Sequence, residues 1–94
     1  MNIQQVDRGS KGAFIIQEDN RTLAEMTYSN SGDSLIIIDH TEVSDALRGK
    51  GAGKQLVQAA VEYARNYQKK IIPLCPFAKK VFDRTPAYTD VLSK

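Results

Sequence analysis

The sequence predicts an α+β domain with a mostly antiparallel sheet of three or four strands, followed by a glycine-rich turn, a long helix, a strand and a short helix. Three observations predict it. Residues 12–43 carry short apolar runs and period-two alternation separated by turn residues, as strands do. From Gly51 onward the apolar spacing switches to steps of three and four, as in an amphipathic helix. Between the two lies a turn with glycines at alternate positions, Gly49, Gly51 and Gly53. Strands first and helices later imply helices laid on a sheet, not a doubly wound fold.

The elements follow in order. Residues 12–18 (GAFIIQE) form an apolar run closed by the turn Asp19-Asn20-Arg21. Residues 22–29 alternate, with Ala24, Met26 and Tyr28 on one face and Glu25 and Thr27 on the other. Asn30-Ser31-Gly32-Asp33 is a turn signal. Residues 35–38 (LIII) are continuous and β-branched and read as a strand buried on both faces, followed by a polar stretch, residues 39–42, and Val43. Short turns between these strands make an antiparallel meander. In residues 51–69, Leu56, Val57, Ala60, Val61, Ala64 and Tyr67 share a helical face. Residues 71–75 form a short strand interrupted at Pro73. Pro76 suits the first turn of a helix over 76–83 with Cys75 at its N-cap. Phe14 and Tyr28 read as core and Tyr63 as packing, and the tail docks through Tyr88, Val91 and Leu92.

Composition narrows the function. Ninety-four residues make one domain, 1–94. With 41% hydrophobic and 26% charged residues the chain folds rather than staying disordered. Thirteen Lys and Arg against 11 Asp and Glu leave a net charge of +2, too mild for a nucleic-acid binder. No apolar run approaches the ~20 residues of a membrane helix. No signal-peptide-like stretch opens the chain, which points to a cytoplasmic protein. One Cys and one His cannot build a metal site unaided.

The turn carries the chemistry. A helix start presents free N–H groups and partial positive charge, and glycines let a ligand approach them; phosphate is the natural guest. Arg48, Lys50 and Lys54 add cations; the alternative is a solvated hinge. A Walker loop fails because Arg48 stands at its first glycine and Gln55 at its Ser/Thr. The dinucleotide fingerprint fails because Lys54 stands at its third glycine and strands already precede the turn.

The run Arg48-Gly49-Lys50-Gly51-Ala52-Gly53, opening a long helix after a meander, resembles the GNAT superfamily of acyl-CoA-dependent N-acyltransferases. With residues 73–77 (PLCPF) it is similar to the small YjdJ-type GNAT-like domains. The resemblance implies a minimal GNAT-like fold that binds acetyl-CoA or a related acyl-CoA and transfers the acyl group to an amine. It implies that Arg48, Gly49, Lys50, Gly51, Ala52, Gly53 and Lys54 hold the coenzyme A pyrophosphate. It further implies that Thr41, Glu42 and Val43 pair with the pantetheine arm in a splay between the strands near Val43 and Ile72, with the thioester beside Leu74 and Cys75. The position where the family often places a tyrosine acid holds Phe82, and Tyr88 is the nearest substitute. The helices that shape the acceptor site in longer members are missing.

Two residues are catalytic candidates. Cys75, at a helix N-cap, is placed to be a nucleophilic thiolate; otherwise it is a small buried hydrophobe. His40 can serve as general base for an amine or for Cys75; otherwise it is a surface residue. Glu42 and Asp45 can deprotonate an amine through water, and Lys79, Lys80 and Arg84 can meet the 3′-phosphate or simply face solvent. The rival function is a non-catalytic acyl-CoA-binding or regulatory module. The amine acceptor stays open, and a free sheet edge allows a monomer or weak dimer.

Overall fold

The computed structural model describes residues 2–93. Its elements are β1 (Ile3–Asp7), β2 (Lys11–Glu18), β3 (Arg21–Ser31), β4 (Leu35–Val43), α1 (Ala52–Asn66), β5 (Lys70–Pro73) and α2 (Pro76–Asp83), with 3-10 turns at Asp45–Leu47 and Pro86–Val91. The five strands form one sheet in sequence order. The first four are antiparallel and β5 runs parallel to β4. This is the expected α+β arrangement.

Hydrophobic alternation decides which face is covered. Phe14, Ile16, Met26, Tyr28, Ile36 and Ile38 point to one side and join one core with Leu56, Val57, Ala60, Val61 and Ala64 of α1 and Ala78, Val81 and Phe82 of α2. Both helices therefore lie on that face. The tail closes the end of the core: Arg65 makes two hydrogen bonds of 2.9 Å to Asp90, and the Ser93 amide donates to Ile71 at 2.8 Å.

Several expectations are corrected. A strand at residues 3–7, not expected, pairs with β2. Only Ile3 is apolar on its core side, so it carries little alternation to read. The turn after β3 sits at residues 32–34, because Asn30 and Ser31 still pair with β4. Residues 35–38 are not buried on both faces: Ile36 and Ile38 are fully buried, whereas Leu35 and Ile37 are half-buried because no helix covers the other side. The polar stretch 39–42 continues β4 instead of ending it. The long helix stops at Asn66, not residue 69. Gln68 adopts a left-handed φ of 57°, and Tyr67 is 65% exposed rather than on the core face. β5 ends at Pro73, leaving Leu74 exposed.

The register of β4 skips one residue. Ile38 pairs with Tyr28 and His40 with Thr27, so Asp39 is a bulge. A bulge shifts the side-chain alternation by one. Inward positions are therefore Ile36 and Ile38 before it, but Thr41 and Val43 after it.

Candidate functional site

At this bulge β4 parts from β5. Pairing between them covers Leu35–Ile38 and Lys70–Pro73 only. The amides of Leu74 and Cys75 both donate to the Ile38 carbonyl, at 2.9 and 3.0 Å, and the chain then turns into α2. Among the described residues, 39–43 of β4 keep β3 as their sole strand partner, which leaves one backbone edge open.

The open edge leads to the start of α1. Ser44 caps the short turn Asp45–Leu47 through its hydroxyl, and the chain passes Gly49 and Gly51, at φ 77° and 71°. Both need the left-handed region that glycine enters freely. A Cβ at either would meet open space, so backbone conformation, not crowding, calls for glycine there. Gly53 differs. Its absent Cβ would fall 2.5 Å from the Phe77 ring, so it lets α1 and α2 approach. No side chain among the described residues caps α1, and its first internal bond runs from Gln55 to Gly51. The amides of Ala52, Gly53 and Lys54 have no backbone acceptor among the described residues. Arg48 is partly spent on Asp45, 2.7 Å away, while Lys50 and Lys54 make no ion pair among the described residues. A cleft of about 340 Å3 beside this turn is bordered by Lys54, Phe77, Lys80, Arg84 and Tyr88.

Cys75 lies at the N-cap of α2, buried, with its Sγ 3.3 Å from Thr41 Oγ1. Burial opposes ionisation of the thiol. Hydrogen bonds from Thr41 and from the amides of Ala78, Phe77 and Thr41 outweigh it and hold the pKa below the ordinary thiol value. Thr41 thus faces the helices, so its neighbours His40 and Glu42 stand on the opposite face. There the His40 Nε2 lies 2.9 Å from Glu42 Oε1, both side chains exposed. The structure does not bring His40 to Cys75: the bulge at Asp39 sends the two to opposite sides of the sheet. Phe82 is buried in the core, and Tyr88 packs on it with ring centroids 5.7 Å apart.

The sequence model of the GCN5-related N-acetyltransferase family matches residues 13–91. The chain belongs to this family. An NMR structure of a GCN5-like protein from Staphylococcus aureus is 42% identical, with a TM-score of 0.74, over 98% of this chain and 89% of that one. The fold also resembles a ribosomal-protein-alanine N-acetyltransferase from Brucella melitensis, 20% identical with a TM-score of 0.68, covering 83% of this chain and 62% of that one. Protein NATD1 of Gallus gallus and of Homo sapiens are each 32% identical over 63 residues, 67% of this chain. The match spans 57% and 56% of those two proteins, a little over half of their length. The family match takes in the whole β4–turn–α1 unit and Cys75.

Sequence reasoning missed the division of β4 into two registers. Its one trace is the change at Asp39 from an apolar run to alternating polar residues. It also missed Arg8, Lys11 and Glu25, which stand on the uncovered face around a groove.

Proposed function

We propose that the protein binds acetyl-CoA or a related acyl-CoA and transfers the acyl group to an amine. The observation that carries this reading is the continuous backbone surface from the open edge of β4 to the uncapped start of α1. Residues 39–43 offer edge groups for an amide-bearing arm to extend the sheet, and the amides of Ala52, Gly53 and Lys54 suit a pyrophosphate. Lys54, Lys80 and Arg84 around the adjacent cleft fit a further phosphate. A related fold, an aminoglycoside N-acetyltransferase 13% identical to this chain, is described in complex with CoA.

The bound thioester supplies an activated acyl group. In the direct route a free amine attacks its carbonyl carbon and the coenzyme thiolate leaves. His40, held by Glu42 on the far face of β4, takes the proton from the amine. The second route uses Cys75. Its thiolate accepts the acyl group as the coenzyme thiolate leaves, and an amine then attacks the new thioester and restores the thiol. The depressed thiol pKa and the Thr41 contact support this route. A binding module without turnover is the remaining reading, favoured by Phe82 at the family's acid position.

Calorimetric titration with acetyl-CoA tests the reading, beside a Gly51→Trp variant shown to be folded by circular dichroism. Saturable binding in the wild type, lost in the variant, is expected; no binding at millimolar ligand removes the proposal. Intact mass after incubation with acetyl-CoA separates the routes. One added acetyl group that disappears in Cys75→Ala marks the two-step path.

A further inference from the structure

The face of the sheet away from the helices carries a groove of about 530 Å3. Lys11, Ala13 and Ile15 are successive outward residues of β2, so the groove runs along that strand. Ala13 and Ile15 give it an apolar floor. Arg8 and Lys11 stand at one end, and neither has an ion-pair partner among the described residues. At the other end Glu25 lies opposite Ile15 on one side and opposite Glu42 on the other. Two carboxylates directly opposite on neighbouring strands repel. No Lys or Arg pairs with either among the described residues. Among the described residues Glu42 has the His40 ring as its side-chain hydrogen-bond partner. Asp39, on the groove wall, accepts hydrogen bonds from the Thr27 and Ser29 hydroxyls.

The groove therefore has a cationic end at Arg8 and Lys11, an acidic end at Glu25 and an apolar floor, with the Asp39 carboxylate on the wall between them. We infer that it holds the acyl acceptor, and that the acceptor is a small zwitterion with a primary amine, an apolar body and a carboxylate. The amine lies at Glu25, which lines the groove and stands opposite Glu42, and the carboxylate at Lys11 and Arg8. The four-residue step from Lys11 to Ile15 spans about 13 Å, and the long side chains at both ends shorten the span the ligand must bridge. The volume lies in the ordinary range of small-molecule sites. The amine end adjoins His40 on the stretch of β4 whose edge is open, so an amine there is beside the base and beside the splay. This assignment rests on the acyl-transfer reading for its role, but the binding site stands on its own geometry.

The test is an NMR titration of isotope-labelled protein with 6-aminohexanoate, hexylamine and hexanoate. The expected result is saturable shifts of the Ala13, Ile15 and Thr27 amides with 6-aminohexanoate, with the two singly charged probes binding about tenfold more weakly. Lys11→Glu should remove that preference and leave the acetyl-CoA titration unchanged. In a thiol-release assay with acetyl-CoA, 6-aminohexanoate should outrun hexylamine, and Lys11→Glu should raise its KM. Groove amides that do not move, equal binding of hexylamine, or a Lys11→Glu variant with unchanged binding each overturn the inference. Groove binding without any acetyl-CoA binding keeps the zwitterion site and removes the acyl-transfer reading.

Discussion

On the covered face of the sheet, Ile16, Met26, Tyr28, Ile36 and Ile38 are essentially inaccessible to solvent. On the bare face, the residues between them include Gln17, Glu25, Thr27 and Ser29, and after the bulge His40 and Glu42. The same backbone carries both sets. The helices supply the difference, and it assigns each face its work: the first holds the molecule together, and the second is free to carry charge and titratable groups. The bulge at Asp39 lets one strand serve both. Without it Thr41 would not reach Cys75, and His40 would point into the core side.

The largest expected effect breaks this contrast directly. Ile38→Ala should lower stability by about 2–5 kcal/mol in urea unfolding, because it opens a cavity in a closed core. Ile37→Ala, one residue away and half-buried on the bare face, should cost only about 1 kcal/mol. Equal costs would mean that the two faces are not distinct. Gly12→Ala comes next, at about 1–3 kcal/mol. Its Cβ would meet the Tyr28 ring at 2.5 Å and the Val6 carbonyl at 2.7 Å, and the backbone atom cannot step aside.

Thr41→Val sharpens the contrast chemically. Removal of the Thr41 hydroxyl should raise the Cys75 pKa and slow alkylation by iodoacetamide several-fold at pH 7. His40→Ala, on the other face, should leave that rate unchanged. A slowed reaction in His40→Ala would place the imidazole near the thiol after all.

The smallest effect concerns the rim where the faces meet. Asp7 accepts hydrogen bonds from the Tyr28 hydroxyl, the Gly9 amide and Asn30, which hold its carboxyl below the usual carboxylate range. A depressed folded-state pKa stabilises fully above the ordinary value near ~4 and loses that contribution as pH falls through the folded value. Asp7→Asn should therefore be less stable at pH 7, and its stability should fall less than that of the wild type below pH ~4. Parallel pH curves for the two proteins would show that Asp7 contributes nothing.

The sequence was legible where one period ran uninterrupted. The alternation of Ala24, Met26 and Tyr28, the three-four spacing through Ala64 and Pro76 after Cys75 each followed from local pattern. Gly49 and Gly51 marked the start of α1 because only a backbone with positive φ turns that corner cheaply. What escaped depended on partners distant in sequence. Strand β1 is held by Gln5 and Asp7 reaching Tyr28, contacts over twenty residues apart that no local period reports. The position of His40 escaped because a bulge is a property of a strand pair. The packing of Gly53 against Phe77 escaped for the same reason, while its amide stays in the proposed pyrophosphate site.

The short β4–β5 ladder also bears on how the chain folds. Strands β1 to β4 join through tight turns, so each pairing closes only a small loop and can form early. β5 must cross from the far side of α1, and four residue pairs with β4 and the burial of Ile71 then reward the entropy of closing that long loop. Folding should end with this step. The same boundary should be the first to open in native-state hydrogen exchange, with the amides of Ile71 and Ile72 exchanging ahead of those in β2 and β3.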